Sequence, residues 1–83
     1  MNDETLLNLL KTSLPVKSTA YDDVLQNYLH TAIETFDADI NDEADMTLVI
    51  LYAAWMWDSR KDKALPKPPA LQMAINNRAV RHV

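Results

Sequence analysis

The sequence contains no glycine and no cysteine, and each absence removes a class of function. Glycine supplies positive φ and close backbone approach. Without it, a phosphate-cradling loop, a dinucleotide-binding fingerprint and a nucleophile elbow cannot take their usual form. Glycine is also the usual residue of tight hairpin turns, which argues against a sheet-rich fold. Without cysteine there is no disulfide framework, no thiolate metal site and no thiol nucleophile. A reducing, intracellular compartment fits this composition. Long apolar runs are missing too. The most apolar run, Met46 to Trp57, has twelve uncharged residues closed by Asp45 and Asp58, whereas a membrane span needs about twenty. The amino end is acidic and polar (Asn2, Asp3, Glu4), the opposite of the cationic start of a signal peptide, so neither a signal peptide nor a membrane contact is expected.

What is present is 83 residues, 48% of them hydrophobic. That length predicts a single domain over residues 1–83. A chain this short buries only about 60% of its unfolded surface, so its own core is modest. The net charge of −4 hides a division. Residues 1–58 carry eleven acids and two bases, a balance of −9, and residues 59–83 carry one acid and six bases, a balance of +5. Such polarity suits head-to-tail contact between copies, acidic part to basic part. It also suits a basic tail touching nucleic acid, or a solvated surface with no partner.

Apolar spacing predicts an all-α domain of four helices. The first covers about Asp3–Ser13, with Leu6, Leu7, Leu10 and Leu14 at helical spacing and Pro15 as its stop. The second covers about Ala20–Asp37, capped by Ser18 or Thr19, with Tyr21, Val24, Leu25, Tyr28, Leu29, Ala32, Ile33 and Phe36 on one stripe. The third covers about Asp42–Lys61, with Asn41 as its cap and Arg60 and Lys61 in its last turn, where cations are favoured. Its middle is apolar on opposite faces: Met46, Val49, Ile50, Ala53 and Trp57 on one, Leu48, Leu51, Tyr52 and Trp55 on the other. A helix apolar all round is buried all round. Three short companions can hardly wrap it, so one face is expected to meet another subunit. A stiff proline-rich linker, Lys63 to Pro69, precedes a fourth helix over about Ala70–Arg81. Leu71, Ala74 and Ile75, with Met73 and Val80, are its candidates for docking.

Chemistry-bearing patterns are sparse. Asp37-Ala38-Asp39-Ile40-Asn41 opens like a calcium loop, but the positions that need Gly and Glu hold Asp42 and Leu48. An acidic connector that caps the third helix explains it better. His30 and His82 lie on different segments and form no zinc-ligand spacing. No nucleophile–base pattern stands out, so no catalytic residue, metal or cofactor is expected and the chain does not read as an enzyme. Tyr52, Trp55, Met56 and Trp57 form the densest aromatic cluster, and residues of these types are enriched at subunit interfaces. Core packing is the plainer account, and both can hold, one face each. On the last helix Arg78 and Arg81, with Asn76, Asn77 and the following His82, have the side chains of a base-reading helix, although the pI of 4.8 is acidic for a DNA binder.

The run Leu48 to Arg60, ending Trp57-Asp58-Ser59-Arg60, resembles the third helix of the small head–tail connector (adaptor) proteins of tailed bacteriophages. There an aliphatic run is followed by an aromatic, an acid or amide, a small polar residue and Arg. Leu65-Pro66 matches the loop that follows, and Asp22-Asp23-Val24-Leu25 through Ile33 matches the acid-opened second helix. Trp57 stands where the family usually has Tyr, and Phe36-Asp37-Ala38-Asp39 where it often has Gly. The resemblance implies a structural virion protein, present in the host cytoplasm before assembly. It would form a homo-oligomeric ring under the portal protein, extend the DNA channel and dock tail or stopper proteins. Tyr52, Trp55, Trp57 and Arg60 are then expected at packing and interface positions, Arg60 pairing with an acid on its own or a neighbouring subunit. Lys63, Lys67, Arg78 and Arg81 are expected to face the portal or, non-specifically, packaged DNA. The rival expectations are a small helical DNA-binding regulator using its last helix, and a helical interaction module with no virion role.

Overall fold

A computed structural model describes residues 3–15, 18–60 and 66–81. Four α-helices make up the described fold, α1 (Asp3–Ser13), α2 (Asp22–Phe36), α3 (Glu43–Ser59) and α4 (Pro69–Arg81), and there is no strand among the described residues. The all-α expectation holds.

Helix α1 buries Leu6, Leu10 and Leu14 against α2 and α3. Its end tightens through Leu14 N–H donating to the Lys11 carbonyl at 3.3 Å, and Pro15 follows. Lys11 Nζ then reaches Asp22 Oδ1 at 2.8 Å. The cation lies in the last turn of α1 and the anion in the first turn of α2, each at the helix end whose dipole favours it. Ahead of α2, Thr19–Tyr21 form a 3₁₀ turn whose Ala20 N–H donates to Ser18 Oγ at 3.1 Å. Ser18 therefore caps as expected, but the first turn is tighter than an α-helix.

The α2–α3 corner solves the problem of a helix end without glycine. Asp37 adopts the left-handed conformation, φ 48° and ψ 50°. Its N–H donates to Glu34 O at 3.3 Å, and the Ala38 N–H donates to Ile33 O at 2.9 Å. This is the Schellman closure that normally takes Gly at that place. Ala38 and Ile33 also pack against the core, which supplies the apolar contact that accompanies the motif.

Helix α3 is capped by Asp42, not Asn41. Asp42 is extended (φ −101°, ψ 117°), and its Oδ1 accepts from Ala44 N–H at 2.9 Å and from Asp45 N–H at 3.4 Å. Asn41 lies one residue too early for those donors, and its own N–H donates to Asp39 Oδ1 at 2.9 Å. The helix ends at Ser59, leaving Arg60 as its C-cap. Lys61 lies outside the described residues.

The main core joins α1, α2 and α3: Leu6, Leu10, Leu14, Leu25, Leu29, Ala32, Met46, Val49, Ala53 and Trp57 form one cluster, with no α4 side chain in it among the described residues. Among the helices α4 packs on α3 alone. Pro69 starts it, where a missing N–H costs nothing, and Leu71 is its fully buried side chain. Lys67 lies near Trp55 and Arg78 near Asp45, so α4 runs antiparallel to α3. Met73, expected to dock, is instead 64% exposed. It stands two residues from Leu71, some 200° around the helix, and the two cannot both face α3. The Val80 side chain lies outside the described residues. The molecule measures 39 × 31 × 18 Å.

Candidate interaction surface

Helix α3 is the element against which every other helix packs. Its inward arc carries Met46, Val49, Ala53 and Trp57, all buried. Leu48, on the far side, is buried outside the main core, while Leu51, Tyr52, Ala54, Trp55 and Met56 remain half-buried. The expectation of an apolar second face is thus divided: the chain covers Leu48 itself and leaves Leu51, Tyr52 and Trp55 only partly covered.

The four aromatic and basic residues expected at an interface fall into two clusters. Trp55 and Trp57 are two residues apart, so their rings leave α3 on opposite sides. On one side Tyr52 meets Phe36 edge-on at 5.0 Å between ring centroids and Trp55 at 5.5 Å. Lys67 Nζ sits 4.8 Å above the Trp55 ring. The ammonium over an aromatic face is a cation–π contact, and it ties the entry of α4 to the end of α3.

On the other side Trp57, 7% exposed, is a core residue. Tyr21 approaches it edge-on at 5.2 Å, and the Arg60 guanidinium lies 3.8 Å from the centroid of its ring and 5.8 Å from that of Tyr21. Arg60 was expected to pair with an acid of its own or a neighbouring subunit. The structure gives it an aromatic platform, which suits the planar, weakly hydrated guanidinium. Tyr21 is 43% exposed, so the cluster presents an aromatic and a cation at the surface over a buried indole.

Arg78 was expected to face the portal or DNA. It is held elsewhere. Its Nε donates to Asp45 Oδ1 at 3.1 Å and its Nη2 reaches Asp45 Oδ2 at 3.4 Å. The same Nη2 donates to the Asp37 carbonyl at 3.0 Å. Asp45 Oδ2 also accepts from Asp39 N–H at 2.9 Å. With side-chain exposures of 17% for Arg78 and 2% for Asp45, the guanidinium is committed to the α2–α3 corner and removed from any flat charged face. This ion pair was not anticipated. A partial signal was present: Asp45 stands three residues before Leu48, so an acid in the first turn lay beside the apolar face that α4 covers. Beside the pair, Ala44, Thr47, Leu48, Ala74 and Asn77 complete a groove of about 580 Å³ between α3 and α4.

Lys63 lies outside the described residues, as does the side chain of Arg81. Among the described residues no three acids or histidines cluster as metal ligands would, and no helix is long and apolar enough to cross a membrane. No protein-family model matches the sequence, and neither a curated protein nor a solved structure does so.

Proposed function

We propose that the chain is a structural protein of the head–tail connector of a tailed bacteriophage or prophage. It assembles with copies of itself into a ring under the portal protein, extends the DNA channel and offers a docking surface to tail or stopper proteins. Its role is contact, not catalysis. The observation that supports this most is the far face of α3. Leu51, Tyr52 and Trp55 stay half-covered in the isolated chain, next to the Lys67 cation. An apolar, aromatic patch rimmed by charge is the composition of an interface core. The division between an acidic first part and a basic last part adds a second support, because ring contacts join unlike patches of neighbouring copies. Lys67, and beyond the described residues Lys63 and the Arg81 side chain, are the cations this reading leaves for the portal or for non-specific contact with packaged DNA. A base-reading role for α4 has less support, since Arg78 is bound to Asp45.

The test is direct. Phage particles made by a host expressing the chain with an affinity tag are purified and their protein content measured by mass spectrometry. The chain is expected in full particles at several copies per portal ring. Its absence from particles that are otherwise complete overturns the proposal.

A further inference from the structure

Three of the large hydrophobic side chains that stay exposed stand at the two ends of the α2–α3 pair. Ile40, 48% exposed, occupies the corner where α2 passes into α3. Tyr21 and Val24, 43% and 39% exposed, stand at the start of α2, and Tyr21 lies against Trp57 near the end of α3. Helix α2 separates the two places by fifteen residues, about 22 Å at 1.5 Å per residue.

Ile40 is held in place from both sides. Asp39 N–H donates to the buried Asp45 Oδ2 at 2.9 Å, Asn41 N–H donates to Asp39 Oδ1 at 2.9 Å, and Asp42 N–H donates to the Asp39 carbonyl at 3.0 Å. Arg78 clamps Asp45 and the Asp37 carbonyl in turn. The corner thus holds out an apolar side chain at a turn, where polar residues are usual. A knob fixed in this way loses little freedom on binding.

Charge distinguishes the two ends. Residues 34–43 hold five acids and no base, and Glu34, Asp37, Asp39 and Glu43 among them are exposed. At the other end Arg60 lies exposed over Trp57 and Tyr21, and Lys11 offsets Asp22. The sequence from Arg60 to Lys67 carries four bases and one acid, so even with the exposed Asp23 and Asp58 this end has four bases against three acids.

We infer that the Ile40 corner of one copy docks on the Tyr21–Val24–Arg60 patch of the next copy, head to tail. Apolar and aromatic side chains meet at the centre, with carboxylates and the guanidinium at the rim, which is the usual division of an interface. Tyrosine and arginine are also the residue types in which binding energy concentrates. A second copy is the occupant because the chain carries both halves. A two-fold contact through the corner would oppose five acids to five acids, whereas head-to-tail contact sets them against a cation. Contacts between unlike patches close into a ring or continue as a filament. The inference uses neither the connector reading nor the Trp55 face.

Blocking one half at a time tests it on the full chain. Ile40→Lys spoils the corner and keeps the patch; Val24→Glu/Arg60→Glu spoils the patch and keeps the corner. All three side chains are exposed, and far-UV circular dichroism checks that helix content is kept. By light scattering the parent is expected to exceed its 9.5 kDa chain mass increasingly with concentration. The effect should be strong at about 0.01 M salt, where charges act over about 30 Å, and weak at about 1 M, where they act over about 3 Å. Each variant alone is expected to keep the chain mass. Mixed in equal amounts, the variants have one good corner and one good patch between them, so they should reach twice the chain mass and stop there. A parent that keeps the chain mass at low salt overturns the inference. So does a variant that associates as the parent does, or a mixture that stays single or grows past the pair.

A second readout fixes the orientation. The chain has no cysteine of its own. Chains carrying Ile40→Cys are mixed with chains carrying Val24→Cys and oxidised. Head-to-tail docking predicts the 40–24 disulfide in excess of its random share, and a random share or an excess of either like pair overturns it. Should a blocking variant lose its helical signal, this measurement decides alone. A chain that fails here yet is found in full phage particles overturns this contact and leaves the connector reading standing. One that docks head to tail but is absent from particles does the reverse.

Discussion

Arg78 Nε lies 3.1 Å from Asp45 Oδ1 across 33 residues of sequence. The contact joins the last helix to the start of the third, and through the Asp37 carbonyl to the end of the second. Each charge also sits at the helix end that favours it, the acid in the first turn of α3 and the base near the end of the antiparallel α4.

Removing one partner is therefore expected to act locally. Arg78→Ala leaves the buried Asp45 without its cation, with Asp39 N–H still donating to it, a loss of about 3 kcal/mol at the low end of buried-pair measurements. Because α4 packs its described residues on α3 and reaches the end of α2 only through Arg78, the damage should appear first as loss of α4. Amide hydrogen exchange is expected to speed up over 72–81 while Leu25, Leu29 and Val49 keep their protection. Uniform loss of protection across all helices would show that α4 is integral to the main core.

Asp37 holds a position that glycine would hold more cheaply. Left-handed backbone costs an ordinary residue roughly 1–2 kcal/mol, and less for Asp. Asp37→Gly removes that cost and adds freedom to the unfolded chain, about 0.4–1 kcal/mol in the other direction. The expected net gain is about 0.5 kcal/mol. Asp37→Val, β-branched at positive φ, is expected to lose more than 1 kcal/mol by the same scale. Urea midpoints measure both, and the order Gly above Asp above Val is the outcome to check. The Asp37 carbonyl that Arg78 uses is backbone, so neither change removes that bond.

The two tryptophans separate core from surface. Trp57 is buried among α1–α3 residues, and Trp57→Ala is expected to cost about 3–5 kcal/mol. That approaches the whole stability of a small domain, roughly 5 kcal/mol at the low end, so far-UV circular dichroism should show a largely unfolded chain. Trp55→Ala removes a half-buried ring and the seat of Lys67, and is expected to stay folded; under the proposed ring assembly it also loses self-association by light scattering. An unfolded Trp55→Ala chain would make that ring a core element.

These contrasts mark what the sequence disclosed. Helix number and type were legible because leucines at three- and four-residue spacing, with Pro15 and Pro69 as punctuation, leave few alternatives. The double-sided character of α3 was equally plain. Three features were not. The cap moved from Asn41 to Asp42, since either residue type can cap and only the backbone angle decides. Arg78 read as a free cation because its partner lies far along the chain. Arg60 found rings where a carboxylate was expected, because Tyr21 is brought beside Trp57 only when α2 packs on α3.

Arg60 yields the last expectation. Its guanidinium lies flat enough on Trp57 to sit 3.8 Å from the ring centroid, yet the residue remains exposed. At such sites a cation–π contact contributes about 0.5–1 kcal/mol. Arg60→Ala should therefore lower the urea midpoint slightly and leave helix content unchanged, while Arg60→Lys keeps the charge and loses the planar stacking. If the Tyr21–Trp57–Arg60 cluster contributes to contact between copies, assembly measured by light scattering falls in Arg60→Ala far more than stability does. Equal assembly in parent and variant, with the small stability loss present, would confine Arg60 to covering the Trp57 indole within its own chain.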